Sequence, residues 1–267
     1  MDLIILAIVC VLTGALAGGL AGLLGVGGGI VIVPALVALF LARGVSPDIA
    51  MHLSLGTSLA SIAFTSIASI RAHHKRGAVR MDLARWLAPG LIVGAALAGF
   101  GVRYLDGSLL QAGFGVFAIL LGFNLLRASR SESATERPIG AARLLGGGLA
   151  IGVASGLAGI GGGSLSVPFL SYFGTPLLQA IGTAALGGLP IALGGTLGYV
   201  IGGWHAPGLP SSAVGFVDLT ALCLIVPASM LAAPYGARVA HRLPTQRLRR
   251  VFAVFLLIVG VLMIWRG

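Results

Sequence analysis

Two glycine triplets offer the clearest chemistry in this sequence. GLLGVGGGIVIVP occupies residues 22–34 and GLAGIGGGSLSVP residues 156–168, and eight of the 13 positions are identical. Glycine tolerates positive φ, so the chain can unwind at each triplet, and the helix that follows begins with N–H groups that lack acceptors. Such a helix start is partially positive and binds anions. We therefore predict an anion site at both triplets, with Gly27, Gly28, Gly29, Gly161, Gly162 and Gly163 as substrate-binding residues. The alternative is that these glycines only let helices pack closely.

A stripe of hydroxyl side chains follows the first triplet. Ser54, Ser58, Ser61, Thr65 and Ser69 are spaced by 4, 3, 4 and 4 residues, which places them on one helical face. Such a stripe can line a polar pathway, and we predict one along Ser54, Ser61 and Thr65. It can equally mediate helix packing, with each hydroxyl bonded to the carbonyl one turn earlier.

Hydroxyl groups near the triplets are candidates for direct contact with the anion. Thr57 recurs in the second half of the chain as Thr183, and Ser164 and Ser166 follow the second triplet where the first has isoleucine. The second half has Ala184-Ala185 where the first has Ser58-Leu59, so the contacts are not expected to be symmetric. The predicted hydroxyl ligands are Thr57, Ser58, Ser164, Ser166 and Thr183.

The elements that carry these residues form two repeats. Residues 1–130 and 142–267 each contain five apolar segments and are joined by a polar linker at 131–141, predicted to be cytoplasmic. The predicted segments are 3–24, 29–42, 51–70, 84–102, 109–126, 143–160, 164–173, 178–202, 216–237 and 248–265. Asp82 and Asp218 begin matching segments and are predicted helix N-caps. Discontinuous helices in repeated halves are typical of transporters with a site at mid-membrane.

Composition excludes most soluble classes. The 267 residues are 57% hydrophobic and only 9% charged, whereas soluble domains carry about 25% charged residues. This excludes an ordinary cytosolic enzyme, a nucleic-acid-binding domain and a disordered chain. We predict an all-α polytopic membrane protein with glycine-broken helices.

The basic residues predict the orientation of the two halves. Five segments per half is an odd number, so the halves enter the membrane in opposite directions, as inverted repeats. With both termini outside, all 17 basic residues except Arg43, Arg103 and Arg266 face the cytoplasm. If the short second segment of each half were re-entrant, the same residues would divide about ten to seven between the two sides.

The acidic residues exclude several activities by their positions. All seven lie at segment ends or in loops, so a cation substrate or a carboxylate proton relay is not expected. The sequence shows no catalytic constellation and no metal-ligand cluster, so we expect neither catalysis nor a cofactor. The expected partners are a small anionic substrate and the lipid bilayer, without nucleic acid, and a homo-oligomer is compatible with the sequence.

The two glycine–proline segments, with LGTSL after the first, resemble the sulfite exporter TauE/SafE family across essentially the whole chain. The resemblance implies a bacterial inner-membrane protein that moves sulfur-containing anions such as sulfite and organosulfonates. Export by alternating access at the helix breaks is the expected activity. A passive anion channel, a transporter of a non-sulfur organic anion and a membrane scaffold are the alternatives.

Overall fold

Helices make up most of the computed structural model, which describes residues 3–24, 28–74, 79–127, 138–240 and 245–266. Within these residues the helices are α1 (Leu3–Leu24), α2 (Gly29–Ala42), α3 (Pro47–His74), α4 (Met81–Gly101), α5 (Gly107–Arg127), α6 (Ala141–Ala158), α7 (Gly163–Tyr172), α8 (Leu177–Gly202), α9 (Leu219–Ala240) and α10 (Thr245–Arg266). Each of the ten predicted apolar segments coincides with one helix, so the predicted all-α polytopic fold is confirmed.

Seven helices in the described residues are long and apolar enough to cross a membrane. Large apolar side chains such as Leu120 and Leu231 are exposed on the outside of the bundle, as expected for a surface in contact with lipid. α2 has 14 residues and α7 has ten. At about 1.5 Å per residue both are shorter than the hydrocarbon core of a bilayer, which is about 30 Å thick. α3 and α8 pack against each other and are the most buried of the long helices.

Glycines allow helices of different halves to pack closely. On α6, Gly148 and Gly152 lie against the backbone of α4, where Cβ atoms would meet the Leu87 and Leu91 carbonyl oxygens at 2.5 Å. Gly90 and Gly94 on α4 make the reciprocal approach to α6. This is the small-residue packing typical of membrane helices, and the spacing of four is the GxxxG pattern.

The same packing recurs between α1 and α9. Gly14 and Gly18 occupy the positions in the first repeat that Gly148 and Gly152 occupy in the second. Their Cβ atoms would meet the Ile225 and Ser229 carbonyl oxygens of α9 at 2.5 and 2.2 Å. The first helix of each half therefore packs on the fourth helix of the other half.

The loops contain features that hydropathy did not predict. A short 3-10 turn, Val102–Tyr104, follows α4, and a hairpin of two two-residue strands, β1 (Ala213–Val214) and β2 (Val217–Asp218), precedes α9. Asp218 caps α9, since its Oδ1 accepts the Ala221 N–H at 2.7 Å. The predicted cap by Asp82 is wrong: Arg80 holds the N-cap position of α4 without a side-chain cap, and Asp82 forms an ion pair with it at 2.7 Å.

Candidate anion site at the glycine breaks

The second glycine break separates α6 from α7. α6 ends at Ala158, Gly159 adopts a φ of +62°, and α7 begins at Gly163. The positive φ that allows the chain to turn therefore lies before the triplet. Gly28 and Gly162 have φ of −74° and −63°, so our expectation that the triplet glycines supply the left-handed turn is wrong at these two positions.

The two breaks meet inside the bundle. A Cβ on Gly29, the first residue of α2, would lie 2.3 Å from the Gly159 carbonyl oxygen and 3.0 Å from Ile160 Cα. Gly28, Gly29 and the second triplet are all buried, whereas Gly27 lies outside the described residues. The start of α2 thus contacts the turn between α6 and α7 in a buried region, and the first N–H groups of both α2 and α7 lack helical acceptors.

Ser58 joins α3 to this region. Its Oγ donates a hydrogen bond of 2.7 Å to the Gly159 carbonyl, and both residues are buried. The hydroxyl hydrogen of Ser58 is therefore used to hold the second break against α3.

Thr57 and Thr183 occupy equivalent places in the two halves. Thr57 Oγ1 accepts the Asp218 N–H at 2.9 Å, and Thr183 Oγ1 accepts the Arg80 N–H at 3.0 Å. Each threonine therefore binds the backbone at the start of the fourth helix of the opposite half. Both are fully buried.

Ser54, Ser61 and Thr65 of the hydroxyl stripe are buried, and their hydroxyl hydrogens bond within α3. Ser54 donates to the Ala50 carbonyl at 2.7 Å, Ser61 to the Ser58 carbonyl at 2.7 Å, and Thr65 to the carbonyls one turn earlier at 3.3 Å. This is the back-bonding expected of serine and threonine in apolar helices.

The two serines after the second triplet are also buried, Ser164 at 4% and Ser166 at 0% exposure. The hydroxyl of Ser166 has no hydrogen-bond partner. Buried hydroxyls without a partner also occur on α6, α7 and α8 at Ser155, Ser171 and Thr196. Ser166 differs from these because it lies in the first turn of α7, shortly after the second triplet.

The buried region is almost free of charged side chains. Among the described residues, the buried polar side chains include one carboxylate, Asp218, one histidine, His52, and no lysine or arginine. The described part of the chain also holds no group of three His, Cys, Asp or Glu residues placed to bind a metal. An anion here would be held by backbone N–H groups, hydroxyls and helix ends.

Residues 10–263 match the model of a single protein family, described as "Sulfite exporter TauE/SafE". The chain belongs to the TauE/SafE family. This confirms the resemblance recognised in the glycine–proline segments, and it makes the chain a multi-pass membrane protein of a transporter family.

Relatives of this TauE/SafE protein match it over nearly its full length. A "Probable membrane transporter protein" of Haemophilus influenzae is 36% identical over 95% of this chain and 96% of its own length. The "Probable membrane transporter protein YunE" of Bacillus subtilis is 26% identical over 97% of this chain and 98% of its own. A similarly named protein of Methanocaldococcus jannaschii is 24% identical over 98% and 97%. No solved structure gave a significant match.

Sequence reasoning missed two features of this TauE/SafE protein. Ser66 of α3 is buried and faces α8, where a Cβ on Gly188 would lie 2.9 Å from its Oγ. The only hint in the sequence was its position two turns after Ser58. His52 is 3% exposed, with its ring nitrogens 2.7 Å from the Asp48 carbonyl oxygen and 2.9 Å from the Val102 carbonyl oxygen.

His52 also lines a cavity of about 450 Å³ at one end of the bundle. The cavity is formed by the start of α3, the end of α8 and the segments that follow α4 and α8. Its acidic, basic and histidine lining residues are Asp48, His52, Arg103, Asp106 and His205. No spacing in the sequence brings these five together.

Proposed function

We propose that the protein transports small sulfur-containing anions, such as sulfite or organosulfonates, and exports them across the bacterial inner membrane. The observation that carries the proposal is the meeting of the two glycine breaks, Gly29 against Gly159, in a buried region without a lysine or arginine among its described residues. A cationic side chain would hold an anion strongly. Neutral donors and partial helix charges replace its water shell and still allow release.

The proposal includes inverted repeats and alternating access. Its support is the exchange of helices between the halves, α1 with α9 and α6 with α4, together with the matched contacts of Thr57 and Thr183. A further support is the grouping of loops. One cavity is lined by residues that are predicted to lie outside, at the start of α3 and in the segments after α4 and α8. Arg80, predicted to lie inside, contacts Gln179 and Thr183 of α8.

In this proposal the anion binds near mid-membrane between the first turns of α2 and α7. Gly28, Gly29 and Gly161–Gly163 supply backbone donors, and Gly27 completes the first triplet. Side chains of Ser164 and Ser166 contribute on the α7 side, while Thr57, Ser58 and Thr183 hold the surrounding backbone in place. Ser54, Ser61 and Thr65 lie along the proposed route on α3.

The test is flux into proteoliposomes that contain the purified protein. The panel comprises sulfite, methanesulfonate, sulfoacetate, thiosulfate, acetate and chloride, with protein-free liposomes as the blank. We expect saturable flux and counterflow of the sulfur anions. Non-saturable flux without counterflow would show a channel, and flux restricted to acetate would show a non-sulfur substrate. Gly162→Val should reduce the flux because its Cβ would lie 3.1 Å from the Gly187 carbonyl carbon and 3.2 Å from the Gly188 nitrogen.

A further inference from the structure

The unpartnered hydroxyl of Ser166 lies near Gly187 of α8, and Ser66 and the second break lie near the next residue, Gly188. A Cβ on Gly187 would be 3.9 Å from Ser166 Oγ, and a Cβ on Gly188 would be 2.9 Å from Ser66 Oγ and 3.9 Å from the Gly162 nitrogen. Polar groups of Ser66 on α3, Gly162 in the second break and Ser166 on α7 therefore lie near two adjacent residues of α8. We call the space bounded by Ser66, Gly162, Ser166, Gly187 and Gly188 the serine cradle.

The glycines of the serine cradle differ from the packing glycines of the same helix. Cβ atoms on Gly194 and Gly198 would meet the Ile92 and Ala96 carbonyl oxygens of α4 at 2.3 and 2.4 Å, so these residues are needed for close helix contact. A Cβ on Gly188 would meet no backbone atom closer than 3.9 Å. The group packed against Gly188 is therefore the polar side chain of Ser66 and not the backbone of a neighbouring helix.

A buried hydroxyl without a partner is unfavourable, because it has lost its bonds to water. Ser166 is 0% exposed, and it follows the start of a ten-residue helix whose first N–H groups lack helical acceptors. A ligand oxygen in the cradle would accept hydrogen bonds from Ser166 and from the N–H groups of the break at once.

We propose that the serine cradle binds the oxyanion group of the substrate and selects anions with a single negative charge over those with two. This rests on the proposed function and narrows its substrate class to monoanions such as sulfonates. The donors are hydroxyls and N–H groups, and a helix start contributes only about half a positive charge. A first negative charge is matched by these donors, but a second would be buried without compensation.

Arg80 is a basic residue that contacts the first turns of α8, and its charge does not supply that compensation. Arg80 bonds to Gln179 Oε1 at 3.3 Å, but its guanidinium also binds both carboxylate oxygens of Asp82, at 2.9 and 2.7 Å. Its charge is therefore largely balanced by the carboxylate of Asp82 at the start of α4.

Methanesulfonate and sulfate test the charge preference directly. Both have tetrahedral sulfur, but they carry one and two charges across the accessible pH range. We expect calorimetry on the purified protein to show at least tenfold tighter binding of methanesulfonate, and flux to follow the same order. Equal or tighter binding of sulfate would overturn the charge selection while leaving anion transport intact. If no anion of the panel bound or moved, both this inference and the proposed function would be wrong.

Gly188→Ala tests the position of the cradle, with Gly195→Ala on the same helix as its control. The added methyl at 188 meets the Ser66 hydroxyl and fills the cradle, whereas at 195 it meets the Leu59 Cδ1 atom at 2.8 Å. Both neighbours are ends of side chains, so both variants should fold. We expect Gly188→Ala to lose methanesulfonate affinity at least tenfold and Gly195→Ala to bind like the parent. Parental binding by Gly188→Ala would exclude the cradle.

Ser166→Ala separates a ligand role from a structural one. Its hydroxyl has no partner in the protein, so removing it should leave the stability unchanged or raised. Methanesulfonate affinity should fall about five- to 150-fold, the equivalent of about 1–3 kcal/mol. Thr196→Val removes another unpartnered hydroxyl, eight residues beyond Gly188 on α8, and should leave the affinity unchanged. Equal affinity in the Ser166→Ala and Thr196→Val variants would overturn the assignment.

Discussion

Replacing Ser58 by alanine removes the hydroxyl that fastens the second glycine break to α3. That hydroxyl donates to the Gly159 carbonyl at 2.7 Å, and both groups are buried. The variant leaves the carbonyl without this donor, and an unsatisfied buried polar group costs about 1–3 kcal/mol. We therefore expect the free energy of unfolding to fall by about 1–3 kcal/mol.

Ser54→Ala provides the matched control on the same helix. Ser54 also donates at 2.7 Å, but to the Ala50 carbonyl, which in an α-helix already accepts the N–H of Ser54. Its loss should cost less than about 1 kcal/mol. Unfolding by SDS in mixed micelles, followed through the three tryptophans, gives both values. If the two variants lost the same stability, the Ser58–Gly159 bond would not be holding the break in place.

Three further predictions concern packing, backbone and orientation. Gly152→Val should abolish a monodisperse peak in detergent chromatography, because its Cβ would lie 2.5 Å from a backbone oxygen of α4; Gly146→Val on the same helix, with nothing within 4 Å, should elute like the parent. Gly159→Ala places a side chain at a φ of +62° and 2.8 Å from a leucine methyl, whereas Gly44→Ala places one at a φ of +78° in open space. Gly44→Ala should lower the free energy of unfolding by about 1–2 kcal/mol through backbone strain, and Gly159→Ala should lower it by more. Equal losses of stability would contradict this. A cysteine at position 267, in a variant without native cysteines, should react with an impermeant maleimide from outside the cell, and reaction only from the cytoplasm would refute ten crossings.

Hydropathy was sufficient to predict the helices, because a membrane helix must hide its backbone and therefore consists of a long apolar run. Each of the ten segments could therefore be predicted without knowing which other helices it packs against. The hairpin before α9 and the 3-10 turn after α4 are held by contacts between loops, and the sequence carries no periodic signal for them. The wrong cap at Asp82 has a similar cause, since the side chain is drawn to Arg80 instead of to the helix end.

Residues that recur in both halves were recognised more easily than residues that do not. Thr57 and Thr183 recur because each binds the start of a fourth helix, a role that the repeat duplicates. Ser66 has no such counterpart, and its proximity to Gly188 depends on how α3 and α8 cross. Comparison of the two halves therefore identifies residues whose structural role is duplicated. It does not identify a residue such as Ser66, whose contact has no equivalent in the other half.

The pairing of α1 with α9 also bears on how the chain is assembled during synthesis. The Gly14–Gly18 face of α1 has its partner on α9, which the ribosome makes only after Leu219. Until then this groove faces lipid, and α4 likewise lacks its partner until α6 has been inserted. A chain released after its first five helices would thus carry two unfilled grooves. The late helices thus complete the packing of the early ones, and the first half of the chain cannot fill its own glycine faces.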